Sequence, residues 1–225
     1  VTAVEETTGP LATILSPPPD PGRARARRVP GWESWLAAVP VVVLAVQGWQ
    51  RRWMADDGLI HLRVVQNVVG GHGFVFSAGE RVEASTSALW VALLALLRAP
   101  RLVGLETLAV LTGLATTAGG LVLAIGGARI LWRRNGERSC LVPAGALVVA
   151  VLPPMWDFAT SGLETGLIFF WLGAAFYLLA RLTTEPAPGP GRFRLAAVVI
   201  GAGPLVRPDL ALCSAAFLGA LLFVA

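Results

Sequence analysis

The chain has 225 residues, 55% of them hydrophobic and 14% charged, and its mean hydropathy is +0.68. This balance excludes a water-soluble globule and places the chain among polytopic membrane proteins. The net charge of +4 comes from 18 basic residues, every one an arginine, in an Ala-, Gly- and Pro-rich context that reads as a genomic composition bias, so no nucleic-acid partner is inferred from it.

Residues 1–33 carry Ser16-Pro17-Pro18-Pro19 and the cluster Arg23, Arg25, Arg27, Arg28, with no apolar segment long enough for a signal peptide. They are expected to form a disordered cytosolic tail. A crossing takes about 20 mainly apolar residues. Six are expected: Ser34 to about Arg52, about Leu102 to Leu131, Ser139 to about Trp156, Leu163 to Leu182, Leu195 to Val206, and about Asp209 to the end. Ala88 to Leu97 is apolar but short, and is assigned to a helix lying along the membrane or dipping into it. Cys140 and Cys213 fall in apolar spans without further His or Cys at metal-ligand spacing, so they read as inert core thiols. The last apolar run, Ala211 to Ala225, stops without a cap, and the chain reads as the N-terminal part of something longer.

With the N-terminus inside, eleven arginines flank the cytosolic segments: Arg23, Arg25, Arg27, Arg28, Arg129, Arg133, Arg134, Arg138, Arg181, Arg192 and Arg194. Seven remain for the other face, which satisfies the positive-inside rule. Eight of fourteen acids go to that other face: Asp56, Asp57, Glu80, Glu83, Glu106, Asp157, Glu164 and Asp209. The carboxylate-rich face is therefore expected to be extracytoplasmic, with a first outer loop over about residues 53–101.

Within that loop, Asp56 and Asp57 stand side by side. Two ionised carboxylates at a membrane surface repel each other and are expensive to desolvate, so they point to chemistry: taking a proton or holding a divalent cation. The competing reading is that one of them caps the helix that follows. That helix, to Val69, carries a polar stripe of Arg63, Gln66 and Asn67 and is expected to lie in the interface. On the helical wheel Asp56 falls near this stripe and Asp57 nearer His61. Gly70-Gly71-His72-Gly73 ends the helix, with His72 a loop residue, and Glu80 to Ser87 returns acids and hydroxyls to the membrane. Such groups suit a polyhydroxylated ligand, or a solvated loop.

Polar residues recur at two later outer turns. Asp157, Thr160, Ser161 and Glu164 cluster between the third and fourth spans, and Arg207-Pro208-Asp209 interrupts an apolar run. Pro208 breaks the helix and frees backbone groups that must find partners inside the protein. Arg207 is a candidate anion clamp, or pairs internally with Asp209 or Glu164, and the two roles are compatible. Most tryptophans fall near span ends, as an interfacial belt requires.

Four ordered blocks carry a resemblance: Gly48 to Ile60, Gly79 to Ser87, Asp157 to Glu164, and Val206 to Leu212. Together they resemble the terminal β-(1→2)-arabinofuranosyltransferases, GT-C membrane glycosyltransferases of arabinogalactan and lipoarabinomannan assembly, from about residue 34 onward. The resemblance implies an all-α polytopic transmembrane bundle of GT-C type, with further spans and an extracytoplasmic domain beyond this chain. It also implies a decaprenylphosphoryl arabinofuranose donor, arabinan chain ends as acceptor, and reaction on the outer face of the plasma membrane.

By the same resemblance, Asp56 and Asp57 take the place of the catalytic or metal-associated acid of the first outer loop, with Mg²⁺ or Mn²⁺ as the candidate cofactor. Charge building on the departing lipid phosphate needs cations, for which Arg207 and Arg63, with Arg51 or Arg52 as alternatives, are available, and His61, Glu80, Glu83, Glu164 and Asp209 are expected at the bound substrates. A β-linked donor giving a β-linked product retains configuration, which one-step inversion by a single base does not explain. Double displacement and same-face attack both stay open. Two other classes compete: a transporter or lipid flippase, motivated by the broken span at Arg207-Pro208-Asp209, and a non-catalytic cell-envelope assembly subunit.

Overall fold

The structure, a computed structural model, describes residues 31–79, 85–100, 102–134 and 143–224. Expectations for the tail before Gly31, for Glu80 to Ala84 and for Cys140 lie outside the described residues. Every regular element among them is helical: α1 (Gly31–Gln50), α2 (Asp56–Val69), α3 (Ala88–Arg98), α4 (Leu105–Arg134), α5 (Ala144–Val151), α6 (Pro153–Phe158), α7 (Thr165–Leu182), α8 (Pro190–Gly201), α9 (Gly203–Val206) and α10 (Ala211–Val224), with a 3₁₀ turn at Pro208–Leu210.

Two of these helices are long and apolar enough to cross a membrane, the 30-residue α4 and the 18-residue α7. At 1.5 Å per residue they measure about 45 Å and about 27 Å. They form the closest helix pair in the fold, and small residues set that closeness. A methyl group on Gly166 would fall 2.3 Å from the Gly113 carbonyl oxygen, and one on Gly173 would fall 2.3 Å from that of Gly120. Backbone therefore packs on backbone, as in membrane helix pairs. Both partners advance by seven residues together, so α4 and α7 run in the same direction.

The other helices alternate around this pair. The end of α1 meets the first half of α4, since Gly48 lies against Leu114, and it also abuts the Trp156 carbonyl of α6. α8 returns antiparallel to α7, and α10 turns back beside both, sharing a core of Ala175, Leu182, Ala196, Ile200 and Leu221. One end of the bundle thus gathers α2, α3 and the turn at Arg207. The opposite end carries Arg133, Arg134, Arg181 and Arg192, with Glu185 paired to both Arg181 and Arg192.

Three expected spans are reshaped, two of them by proline. The third is two helices, because Pro153 forces Leu152 into an extended conformation (ψ 123°). The fourth begins at Thr165, after a turn through Ser161 to Glu164. The fifth starts at Pro190 and breaks at Ala202, since Pro204 offers no N–H to the carbonyl of Ile200. The freed carbonyls are satisfied by side chains: Trp171 Nε1 donates to Val199 (2.7 Å), Ser214 Oγ to Ile200 (2.9 Å) and Ser87 Oγ to Val206 (2.6 Å). This is the internal satisfaction that a broken helix in an apolar setting requires.

One face of the helix α3 packs into protein, while Leu89, Leu96 and Leu97 stay exposed on the other. Trp90, Val91 and Leu94 are fully buried in a core shared with Leu62, Val64 and Val65 of α2 and with Val206 and Leu210. α2 keeps Arg63 and Gln66 outward, but Asn67 departs from the expected polar stripe. It is buried and donates from Nδ2 to the carbonyls of Val75 and Phe76, both at 2.8 Å, which folds the 70–79 loop back onto the helix.

Candidate functional site

Four segments distant in sequence meet at the end of the bundle where α4 and α7 begin. Trp53 Nε1 donates to the Asp157 carbonyl at 3.0 Å, and the Ala55 N–H donates to Ser161 at 2.9 Å. Trp90 Nε1 donates to the Gly162 carbonyl at 3.0 Å. With Ser87 holding Val206 and Arg207 beside Glu164, the described parts of all four sequence blocks gather at the turn between α6 and α7.

Two glycines make that convergence physically accessible. Gly162 has φ +83°, a conformation side chains resist, and a methyl there would fall 2.2 Å from Met54 Sδ. At Gly58 a methyl would fall 2.4 Å from the Ser161 oxygen. The first turn of α2 is thus pressed onto backbone, which fixes where the acids before it stand.

Asp56 and Asp57 are the first two residues of α2, both exposed at its positive end. Neither caps the helix: Ala55 occupies the cap position, with no side-chain bond to the helix. Their carboxylates have no ion pair or hydrogen bond among the described residues. The capping alternative therefore does not account for them.

His61 and Glu164 are expected at the substrates, but the structure buries both, at 8% and 5% exposure. His61 Nδ1 lies 3.0 Å from the main-chain carbonyl of Asp57, so Nδ1 carries the proton there. Its Nε2 faces Glu164 Oε2 at 3.8 Å, and neither atom has a hydrogen-bond partner. The other carboxylate oxygen of Glu164 lies 3.6 Å from Nη1 of Arg207. Arg207 Nε in turn lies 3.2 Å from Asp209. Arg207 is half-exposed and its backbone extended (φ −160°) between two prolines, so the guanidinium is held on one edge and open on the rest. Both internal pairings weighed for Arg207 are present, and they leave donors free.

Arg63 lies on the opposite flank of α2, 200° around from His61, and borders a cleft with Arg98 and Glu106. The structure does not bring it together with Arg207. Thr160 and Ser161 are fully buried and donate to the carbonyls of Asp157 and Phe158. Glu80 and Glu83 lie outside the described residues. The residues that sequence reasoning missed are Trp90 and Ser87 as donors and Gly58 and Gly162 as close contacts. The signal for the last two was a glycine directly beside each polar block.

A divalent cation such as Mg²⁺ is held by one or two carboxylates together with water and substrate phosphate oxygens. Among the described residues no three His, Cys, Asp or Glu side chains gather closely enough to hold one. Asp56 and Asp57 would supply the carboxylates for such an ion, with water and substrate oxygens completing its shell.

No protein-family model and no solved structure matches the chain. Two curated proteins do. The terminal β-(1→2)-arabinofuranosyltransferase of Mycobacterium tuberculosis is 43% identical over 188 residues, covering 79% of this chain and 30% of that protein. The protein of the same name from Corynebacterium glutamicum is 39% identical over 200 residues, covering 80% of this chain and 28% of that protein. The chain thus spans less than a third of the length of these relatives, and over about four fifths of its own length it is homologous to a stretch of terminal β-(1→2)-arabinofuranosyltransferases.

Proposed function

We propose that this chain is part of a membrane glycosyltransferase that moves arabinofuranose from decaprenylphosphoryl arabinofuranose to arabinan chain ends, forming a terminal β-1,2 linkage in cell-wall polysaccharide. The observation that carries the reading is the homology to two proteins of that name, together with the convergence of the four polar blocks on one turn. The polytopic GT-C reading has six crossings: α1, α4, α5–α6, α7, α8–α9 and α10. Support comes from their alternating directions and from outward apolar side chains such as Val198, Leu212, Leu222 and Phe223, 70–95% exposed, which need lipid or further protein over them. The acid-rich end faces outward and the arginine-rich end inward, in the plasma membrane.

In this reading the chemistry is divided among few residues. An acceptor hydroxyl, ordinarily protonated near neutral pH, needs a positioned carboxylate to take its proton, and Asp56 or Asp57 supplies it. Negative charge builds on the departing lipid phosphate as the C1–oxygen bond opens. The open edge of Arg207 meets that charge. Glu164 is too buried to touch a sugar and acts by holding Arg207. Retention at C1 is accommodated if one aspartate attacks C1 and the other handles the proton, since the two project about 100° apart on α2.

The test is transfer by the purified full-length protein in detergent, from a polyprenyl-phosphate arabinofuranose donor to a short arabinan. Extended product is expected. A transporter yields none where no compartment exists, and donor left unconverted by well-folded protein overturns the reading.

A further inference from the structure

The flank of α2 away from Glu164 carries a second basic site. Between α2, α3 and the start of α4 lies a cleft of about 550 Å³, bordered by Arg63, Gln66, Arg98, Glu106 and Thr107. A second cleft of about 350 Å³ adjoins it across Glu106 and Thr107, walled by Trp49 at the end of α1 and by Arg52 and Trp53 just after it. Two guanidiniums border the larger cleft and a third the smaller, on either side of Glu106 and Thr107 in the first turn of α4.

None of the three has a carboxylate within ion-pair distance among the described residues. Arg63 has only a long 3.5 Å contact with Gln66, Arg98 bonds the carbonyl of Val103, and Arg52 bonds that of Trp49 while lying 4.5 Å over its ring. Unneutralised guanidiniums at the positive end of a 30-residue helix attract an oxyanion, and their planar fork matches phosphate. The clefts are not purely basic, however. Glu106, Thr107 and Gln66 accept hydrogen bonds from hydroxyls, and Trp49 and Trp53, each 42% exposed, give the smaller cleft an amphipathic wall at the level where tryptophans sit in a bilayer.

We propose that these adjoining clefts bind an anionic phospholipid headgroup that also carries hydroxyls, with the phosphate on Arg63 and Arg98, a hydroxyl on Glu106, and Arg52 adding positive charge from across Glu106. The site is separate from Arg207 and does not depend on the transfer reading. It tethers the α2 turn, and with it Asp56 on the same stripe as Arg63, to the membrane surface.

The experiment is native mass spectrometry of the full-length protein released from micelles containing phosphatidylglycerol or phosphatidylcholine. Phosphatidylglycerol is expected to be retained in preference, and Arg63→Gln with Arg52→Gln to lower its retention about tenfold. Arg194→Gln, at the other end of the bundle, leaves retention unchanged and reports on non-specific charge loss. Glu106→Gln lowers retention of phosphatidylglycerol but not of phosphatidic acid, which lacks the headgroup hydroxyls. Equal retention of the two lipids, or retention indifferent to the arginine variants, overturns the site. Complete displacement by millimolar inorganic phosphate makes it a free-phosphate site and overturns the lipid assignment.

Discussion

His61 Nε2 and Glu164 Oε2 face each other across 3.8 Å in a buried gap, each without a hydrogen-bond partner, while the second oxygen of Glu164 lies 3.6 Å from Arg207. Because Nδ1 of His61 is committed to the Asp57 carbonyl, its ring orientation ties the first turn of α2 to the carboxylate that holds the arginine. The helix bearing the acids and the turn bearing the cation are thereby joined through two side chains.

In the proposed transfer Arg207 is the group that meets the developing charge. Arg207→Gln in the full-length protein is expected to reduce transfer by about 10²–10³-fold, the loss typical of one oriented donor to a developing anion. Steady-state rates with the lipid donor check it.

In the same proposal Glu164, 3.6 Å from Arg207, acts through it, so its effect is conditional. Glu164→Gln keeps the side chain's shape and lowers transfer about tenfold in the wild-type background, but it adds little once Arg207→Gln is present. A double-mutant cycle reads this directly. Additive losses would instead give Glu164 a role of its own.

Asp56→Asn and Asp57→Asn each leave the fold intact, since neither carboxylate has a partner to lose. Loss of a general base or nucleophile reduces transfer by about 10²–10⁴-fold. Circular dichroism and membrane insertion should match the parent for both.

How much of this was legible beforehand depends on the residue. Arg207-Pro208-Asp209 foretold a break with freed carbonyls, because proline acts through its own missing N–H, whereas the breaks at Pro153 and Pro204 fell inside apolar runs read as single spans. Hydropathy located the apolar runs but passed over Gly113, Gly120, Gly166 and Gly173, whose meaning lies in the facing helix. The wheel put Asn67 with Arg63, yet no wheel shows that the 70–79 loop folds over one edge of that stripe. Glu164 looked like a substrate ligand because a carboxylate at a turn reads as exposed. Only the convergence of α2 and Arg207 upon it buries it.

The α4–α7 contact makes a stability prediction. Gly166→Leu places a side chain where the Gly113 oxygen lies, and destabilises the protein by an amount at or above the upper end of about 1–3 kcal/mol. Gly145→Leu, with nothing within 4 Å of a methyl there, is the matched control and leaves the melting temperature nearly unchanged in detergent.

At the opposite end, Arg181 first and then Arg192 hold the Glu185 carboxyl below its ordinary range through hydrogen bonds. A depressed carboxyl stabilises the fold above its unfolded-state value, and that contribution fades as pH falls through the folded-state value. Glu185→Gln therefore flattens the acid limb of a melting-temperature profile while leaving activity intact. An unchanged acid limb would show that this surface cluster contributes nothing.

The most direct measurement is a structure of the full-length protein with a non-transferable phosphonate analogue of the lipid donor. The phosphonate is predicted within hydrogen-bond distance of Arg207, with C1 of the sugar turned toward Asp56 and Asp57. A phosphonate seated at the other end of α4 and α7, beside Arg133, Arg134 and Arg181, would contradict it.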